Sequence, residues 1–69
     1  MSTDEERRVV DAIKAEGPYG PIAQERLIRH LDPRHRGTEE SEKFFEGMQN
    51  HPEVRRYRKS DGTYRWTTR

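Results

Sequence analysis

Two runs of strand-forming residues between Val54 and Thr68 meet at Asp61-Gly62, and this junction leaves little choice of local structure. Both central residues of a type I′ turn require positive φ, which aspartate tolerates and glycine adopts freely, so the stretch predicts a β-hairpin over about 54–68. With a two-residue turn, Ser60 faces Thr63, and counting outward pairs Lys59 with Tyr64, Arg58 with Arg65, Tyr57 with Trp66, Arg56 with Thr67 and Arg55 with Thr68. Side chains alternate across a strand. In this register Tyr57, Tyr64 and Trp66 share a packing face, whereas Arg56, Arg58 and Arg65 share the opposite face with Thr63, Thr67 and no acid. A three-residue loop with a glycine bulge shifts the pairing by one and mixes the two sets, so the assignment of faces is conditional on the turn.

The sequence before the hairpin reads as helical. Ser2 with Glu5, or Thr3 with Glu6, has the spacing of a capping box, and the acids Asp4, Glu5 and Glu6 suit the positive end of a helix dipole. A first helix is predicted over about 3–16, with Val9, Val10 and Ile13 as its apolar stripe and Gly17-Pro18 as its stop. Tyr19 in the following linker is expected to cover the core. Pro21 suits the first turn of a second helix over about 21–31, which carries Ile22, Ala23, Leu27, Ile28 and Leu31 and ends at Asp32-Pro33. Pro33 to Gly37 is then a loop. Thr38 has the chemistry of an N-cap for a third helix over about 38–50, lined on one face by Ser41, Phe44, Phe45 and Met48 and closed by His51-Pro52.

Composition sets the scale of what these elements can do. Hydrophobic residues are 28% of the 69 and charged residues 39%, close to a disordered balance, but the periodic apolar positions and a net charge of +1 predict one small folded domain of modest stability. The absence of cysteine excludes disulfides and thiolate metal sites. No apolar run is long enough for a signal sequence or a membrane span, so a soluble, cytoplasmic protein without a membrane partner is expected. Charge is distributed unevenly. Residues 1–50 hold 8 Lys+Arg and 11 Asp+Glu, a net of −3, while residues 51–69 hold 6 and 2, a net of +4. A local basic patch of this kind suits a polyanion, with a plain solvated surface as the alternative.

Three short helices followed by a hairpin, with a tight loop between the second and third, resembles the winged-helix variant of the helix-turn-helix domain. The resemblance spans nearly the whole chain and rests on Val9-Val10-Ile13, Ile22-Leu27-Leu31, Phe44-Phe45-Met48 and the Asp61-Gly62 hairpin. It implies an α+β fold, a three-helix bundle with a C-terminal β-hairpin as the wing. In that family the third helix generally enters the DNA major groove and the wing lies along the backbone or in a minor groove, while other members bind proteins or RNA. Fold alone does not assign function.

The resemblance implies a small DNA-binding protein, of the kind that serves as a transcriptional, phage or plasmid regulator and is nucleoid-associated. Its wing residues Arg55, Arg56, Arg58, Lys59 and Arg65 would neutralise phosphates of double-stranded DNA, and Arg34, Arg36 and Lys43 would support them near the start of the third helix. Gln49 and Asn50 would be the base readers. The chain departs from the DNA-reading pattern at Glu39, Glu42 and Glu46, carboxylates on the exposed positions of the third helix. That departure supports an alternative, a protein-interaction module in which the acidic helix and basic wing form a bipolar surface for a partner or a second copy. Arg58 opposite Arg65 is a like-charge pair that needs compensation, either from phosphates or from the acidic helix within the molecule.

Other chemistry finds less support. Tyr57, Tyr64 and Trp66 have the π-faces to stack on unpaired bases, but a domain with so few apolar residues needs them as core. His30, His35 and His51 have no metal-site spacing and read as solvated or capping residues. With no cysteine, no nucleophile constellation and no substrate-sized cleft expected at this length, the chain is read as a non-enzyme without a cofactor.

Overall fold

A computed structural model describes residues Thr3 to Arg69. The first helix, α1, spans Asp4–Glu16, and the Thr3 hydroxyl caps it by accepting from the Glu6 backbone N–H at 3.1 Å. The alternative cap at Ser2 lies outside the described residues. Val9, Val10 and Ile13 point inward as the spacing requires, and the helix gives way at Gly17-Pro18 to a 3₁₀ turn, Gly17–Tyr19. Gly20 then takes φ 115°, a conformation glycine reaches without strain, and redirects the chain.

The second helix is shorter than its apolar spacing predicts. Ile22–Ala23 form a strand, β1, and α2 is the single turn Gln24–Leu27, extended by a 3₁₀ turn at Ile28–His30. The expectation of a helix from Pro21 is corrected by tertiary pairing. The hairpin offers β1 a free edge, with Ile22 opposite Trp66 and Ala23 opposite Arg65, and this ladder places the Ile22 side chain in the core. Local helix preference gives way to burial and cross-strand pairing. After Leu31 the backbone becomes extended at Asp32, as the residue before a proline should, and Pro33–His35 form a 3₁₀ turn where a loop was expected.

The third helix, α3, runs Thr38–Met48, with Gly37 at the cap position and no side-chain capping bond, so Thr38 is its first residue and not its N-cap. Ser41, Phe45 and Met48 are buried, Phe44 packs partly against them, and residues 49 and 50 form a turn outside the helix. Strands β2, Val54–Arg58, and β3, Tyr64–Thr68, complete a three-stranded antiparallel sheet in the order β1-β3-β2. The architecture is thus α+β, three helices against one face of an antiparallel sheet.

Ten side chains form the core: Val9, Val10, Ile13, Ile22, Leu27, Leu31, Phe45, Met48, Val54 and Trp66. Trp66 is fully buried at the centre of the sheet, its ring 5.9 Å from that of Phe45, and its indole N–H donates to Gln24 Oε1 at 2.9 Å. A buried tryptophan with its N–H satisfied supplies large apolar contact without an orphaned donor. Tyr19 does not cover this core; it is 88% exposed. Among the described residues, no helix is long and apolar enough to cross a membrane.

Candidate nucleic-acid interface

The hairpin turn decides which cations face solvent. Lys59 N–H donates to Thr63 O at 2.7 Å and Gly62 N–H donates to Lys59 O at 3.0 Å, which closes a three-residue loop, Ser60-Asp61-Gly62, with Gly62 at φ 89°. Asp61 Oδ1 accepts from both the Thr63 backbone N–H (2.9 Å) and the Thr63 hydroxyl (2.6 Å). These two bonds, the hydroxyl's first, hold the Asp61 carboxyl below its ordinary pKa, with smaller help from the charges of Lys59 and Arg65. The two-residue turn is therefore corrected to the bulged loop. Asp61 is held at negative φ by its own side-chain bonds, and only Gly62 takes the left-handed conformation.

The pairing moves by one residue in consequence: Val54 faces Thr68, Arg55 faces Thr67, Arg56 faces Trp66, Tyr57 faces Arg65 and Arg58 faces Tyr64. Arg56 thus joins Trp66 and Tyr64 on the face that packs against the helices. Its guanidinium lies 4.0 Å above the Tyr64 ring and donates to Gln24 Oε1 (3.3 Å), Glu42 Oε1 (3.4 Å) and Gln49 Oε1 (3.2 Å). The side chain is only 8% exposed. The expectation that Arg56 meets phosphate is corrected, since its charge is spent between the sheet and α3. Tyr57 moves the opposite way, out of the packing set, and Tyr64 is half-buried beneath Arg56.

Four hairpin cations remain on the surface. Arg55, Arg58 and Lys59 are exposed, Arg65 is half-exposed, and none has an ion-pair or side-chain hydrogen-bond partner among the described residues. Arg55 sits over the Tyr57 ring at 5.9 Å. Outside the hairpin, Arg26 and Arg29 are the other cations in this state; the rest are engaged. Arg36 donates to the carbonyls of Leu31 and Arg29, closing the end of the 3₁₀ turn, so its guanidinium is a structural cap. Lys43 lies 3.8 Å from Glu39 on α3, and Arg34, well exposed, lies 3.8 Å from Asp32. Gln49 is engaged with Arg56 through its side chain and with Arg69 through its carbonyl, whereas Asn50 is exposed in the turn after α3.

The carboxylates of α3 do not act as one surface. Glu42 is drawn to Arg56 and Gln24, while Glu39, Glu40 and Glu46 point to solvent. An open groove of about 460 Å³ runs between α2, the start of α3 and the hairpin tip, lined by Gln24, Ile28, Ser41, Glu42, Tyr64 and Arg65 among others. It is an open surface groove and not an enclosed cavity.

The histidines have definite partners that their spacing did not reveal. Glu5, buried in the first turn of α1, accepts from the Asp32 backbone N–H at 2.7 Å and lies 2.8 Å from His35 Nδ1. Asp32 in turn accepts from Arg8 at 2.7 Å. Glu5, Asp32 and His35 have the residue types and proximity of a metal-ligand set, but their donors and acceptors already serve each other and tie α1 to the loop before α3. His51 Nδ1 accepts from the Glu53 backbone N–H, and its Nε2 lies 3.5 Å from Glu6. Apart from the local His51–Glu53 bond, these contacts left no sequence signal because each joins residues far apart in the chain.

Comparison with family models, curated proteins and solved structures finds no match to the chain. The functional reading therefore rests on the arrangement of its own residues.

Proposed function

We propose that the chain is a winged-helix domain that binds double-stranded DNA through its basic hairpin, mainly by neutralising backbone phosphates. The observation that carries this reading is the concentration of unengaged charge: of six cations without a partner among the described residues, four, Arg55, Arg58, Lys59 and Arg65, lie on one hairpin. The strands of that hairpin contain no acid. The expected Arg58–Arg65 like-charge pair does not form, since Arg58 faces Tyr64 and Arg65 faces Tyr57, and the support for phosphate is the free guanidiniums themselves, whose planar donors suit bidentate bonds to it. Arg56 supports the same function indirectly, because its bonds to Glu42 and Gln49 seat the hairpin against α3. Of the two candidate base readers, Asn50 has its side chain free, and sequence discrimination by this surface is accordingly small.

A second reading, in which α3 recognises a protein, is favoured by the exposed carboxylates Glu39, Glu40 and Glu46. The two readings separate in a mobility-shift titration on duplex DNA. If all four hairpin cations meet phosphates, log K falls with log [salt] at a slope of about 3.6, or about 150-fold between about 50 and 200 mM. No shift of any duplex at about 50 mM salt removes the DNA reading and leaves the protein-interaction one.

A further inference from the structure

The register that draws Arg56 into the core also brings Tyr57 out of it. Tyr57 stands directly opposite Arg65, on the sheet face turned away from Ile22, Val54 and Trp66, and it is absent from the core cluster. Arg55 lies on the same face with its guanidinium 5.9 Å from the Tyr57 ring centre. The neighbours across β3 are Ala23 and Thr67, both small, and no strand of the sheet carries an acid. The outer face thus carries one aromatic ring between two arginines, with the nearest hairpin acid, Asp61, at the turn and held by Thr63.

We infer that this outer face binds single-stranded nucleic acid, with an unpaired base stacked on Tyr57 and the adjacent phosphates held by Arg55 and Arg65. This inference rests on the reading of the hairpin as a nucleic-acid surface and goes beyond it in naming the strand state. Every base has a π-face, so a lone ring accepts any of them, and flanking guanidiniums supply the backbone charge. In an intact duplex the bases are stacked on one another and out of reach of a flat sheet. A duplex would meet the cations of this face and leave Tyr57 idle. The Tyr57 ring keeps part of its surface exposed, while the core closes on the opposite side around Trp66.

The test compares a short fluorescein-labelled oligothymidylate with a duplex of the same length by anisotropy at about 50 mM salt, using the full chain and the variants Tyr57→Ala, Tyr57→Leu and Tyr57→Phe. Base stacking measured by alanine substitution corresponds to about tenfold in affinity at the low end. Tyr57→Ala and Tyr57→Leu are expected to lose about that much on oligothymidylate while duplex affinity stays within about twofold; Tyr57→Phe keeps the parent value on both. Tyr57→Leu preserves apolar cover over the strand, and Trp66 emission reports whether each variant is folded. Parent-like oligothymidylate binding by the leucine variant overturns the inference, as does an equal loss on both substrates. A chain that binds duplex and no oligothymidylate overturns it too, leaving the duplex reading intact, whereas a chain that binds neither overturns both.

Discussion

Replacing Arg56 with alanine should destabilise the fold and leave the salt dependence of DNA binding unchanged, the reverse of what a phosphate-contacting arginine would do. The guanidinium lies 4.0 Å above Tyr64 and makes three hydrogen bonds of 3.2–3.4 Å. A cation over an aromatic face in a largely desolvated position contributes about 1–2 kcal/mol. The hydrogen bonds add about 1 kcal/mol together, at the low end for charged donors, because they are long. The acceptors left behind are not trapped: Glu42 is 47% exposed, Gln49 is exposed, and Gln24 keeps its bond from Trp66. The sum is about 2–3 kcal/mol, which for a domain of this size lowers Tm by about 10–20 °C. Arg56→Met, which keeps the stem, should lose about half as much. Urea denaturation followed by Trp66 fluorescence measures both. A loss below about 0.5 kcal/mol for the alanine variant would show that the buried pairing merely offsets its desolvation, and the argument for Arg56 as the strap of the hairpin would fail.

Three further outcomes are expected. Arg58→Ala and Arg65→Ala should each lower the salt slope of duplex binding by about one while Tm moves little; variants that keep the parent slope would show that these arginines do not touch phosphate. Gly62→Ala should cost about 1–2 kcal/mol because φ 89° is strained for any side chain, with Gly62→Asn costing less; equal stability of all three by thermal melting would contradict the bulged turn. His30 is held below its ordinary pKa of 6.5 by burial first and then by the charges of Arg29 and Arg8. The unfolded chain therefore binds this proton more readily, so His30 contributes stability above about 6.5 that is lost as pH falls through its lower folded value. His30→Gln should flatten the fall in Tm on acidification below pH 6.5, and an unchanged pH profile would refute that assignment.

Much of the architecture was legible because it depends on local rules. Thr3 capping α1, the stripe Val9-Val10-Ile13, the stop at Gly17-Pro18 and the extended backbone at Asp32 before Pro33 all follow from chemistry within a few residues. Most of what escaped was decided at a distance, the turn at Asp61-Gly62 being the local exception. Whether Ile22-Ala23 begin a helix or a strand depends on the free edge of β3, more than forty residues later. Asp-Gly permits both a two-residue turn and a bulged one, and the choice fell to Thr63, whose hydroxyl and N–H both bind Asp61. That single step exchanged the environments of Arg56 and Tyr57. The basic end of the chain was correctly located by charge, but which of its side chains remain free required the register. Glu5 with His35 had no sequence signal, since neither residue's neighbours distinguish a buried pair from two solvated groups.

The order β1-β3-β2 has a kinetic corollary. The central strand is the last of the three in sequence, and its Trp66 pairs with Ile22 at a sequence separation of 66 − 22 = 44. Neither outer strand has a ladder partner until β3 arrives, and the cavity among the helices stays unfilled without the indole. Closing a loop of that length carries an entropic penalty before any ladder rewards it, so local helix formation precedes, and cannot substitute for, the rate-limiting event. The domain should consequently fold in one cooperative step slower than a helical bundle of the same length, and during synthesis it stays unprotected until its final strand clears the ribosome.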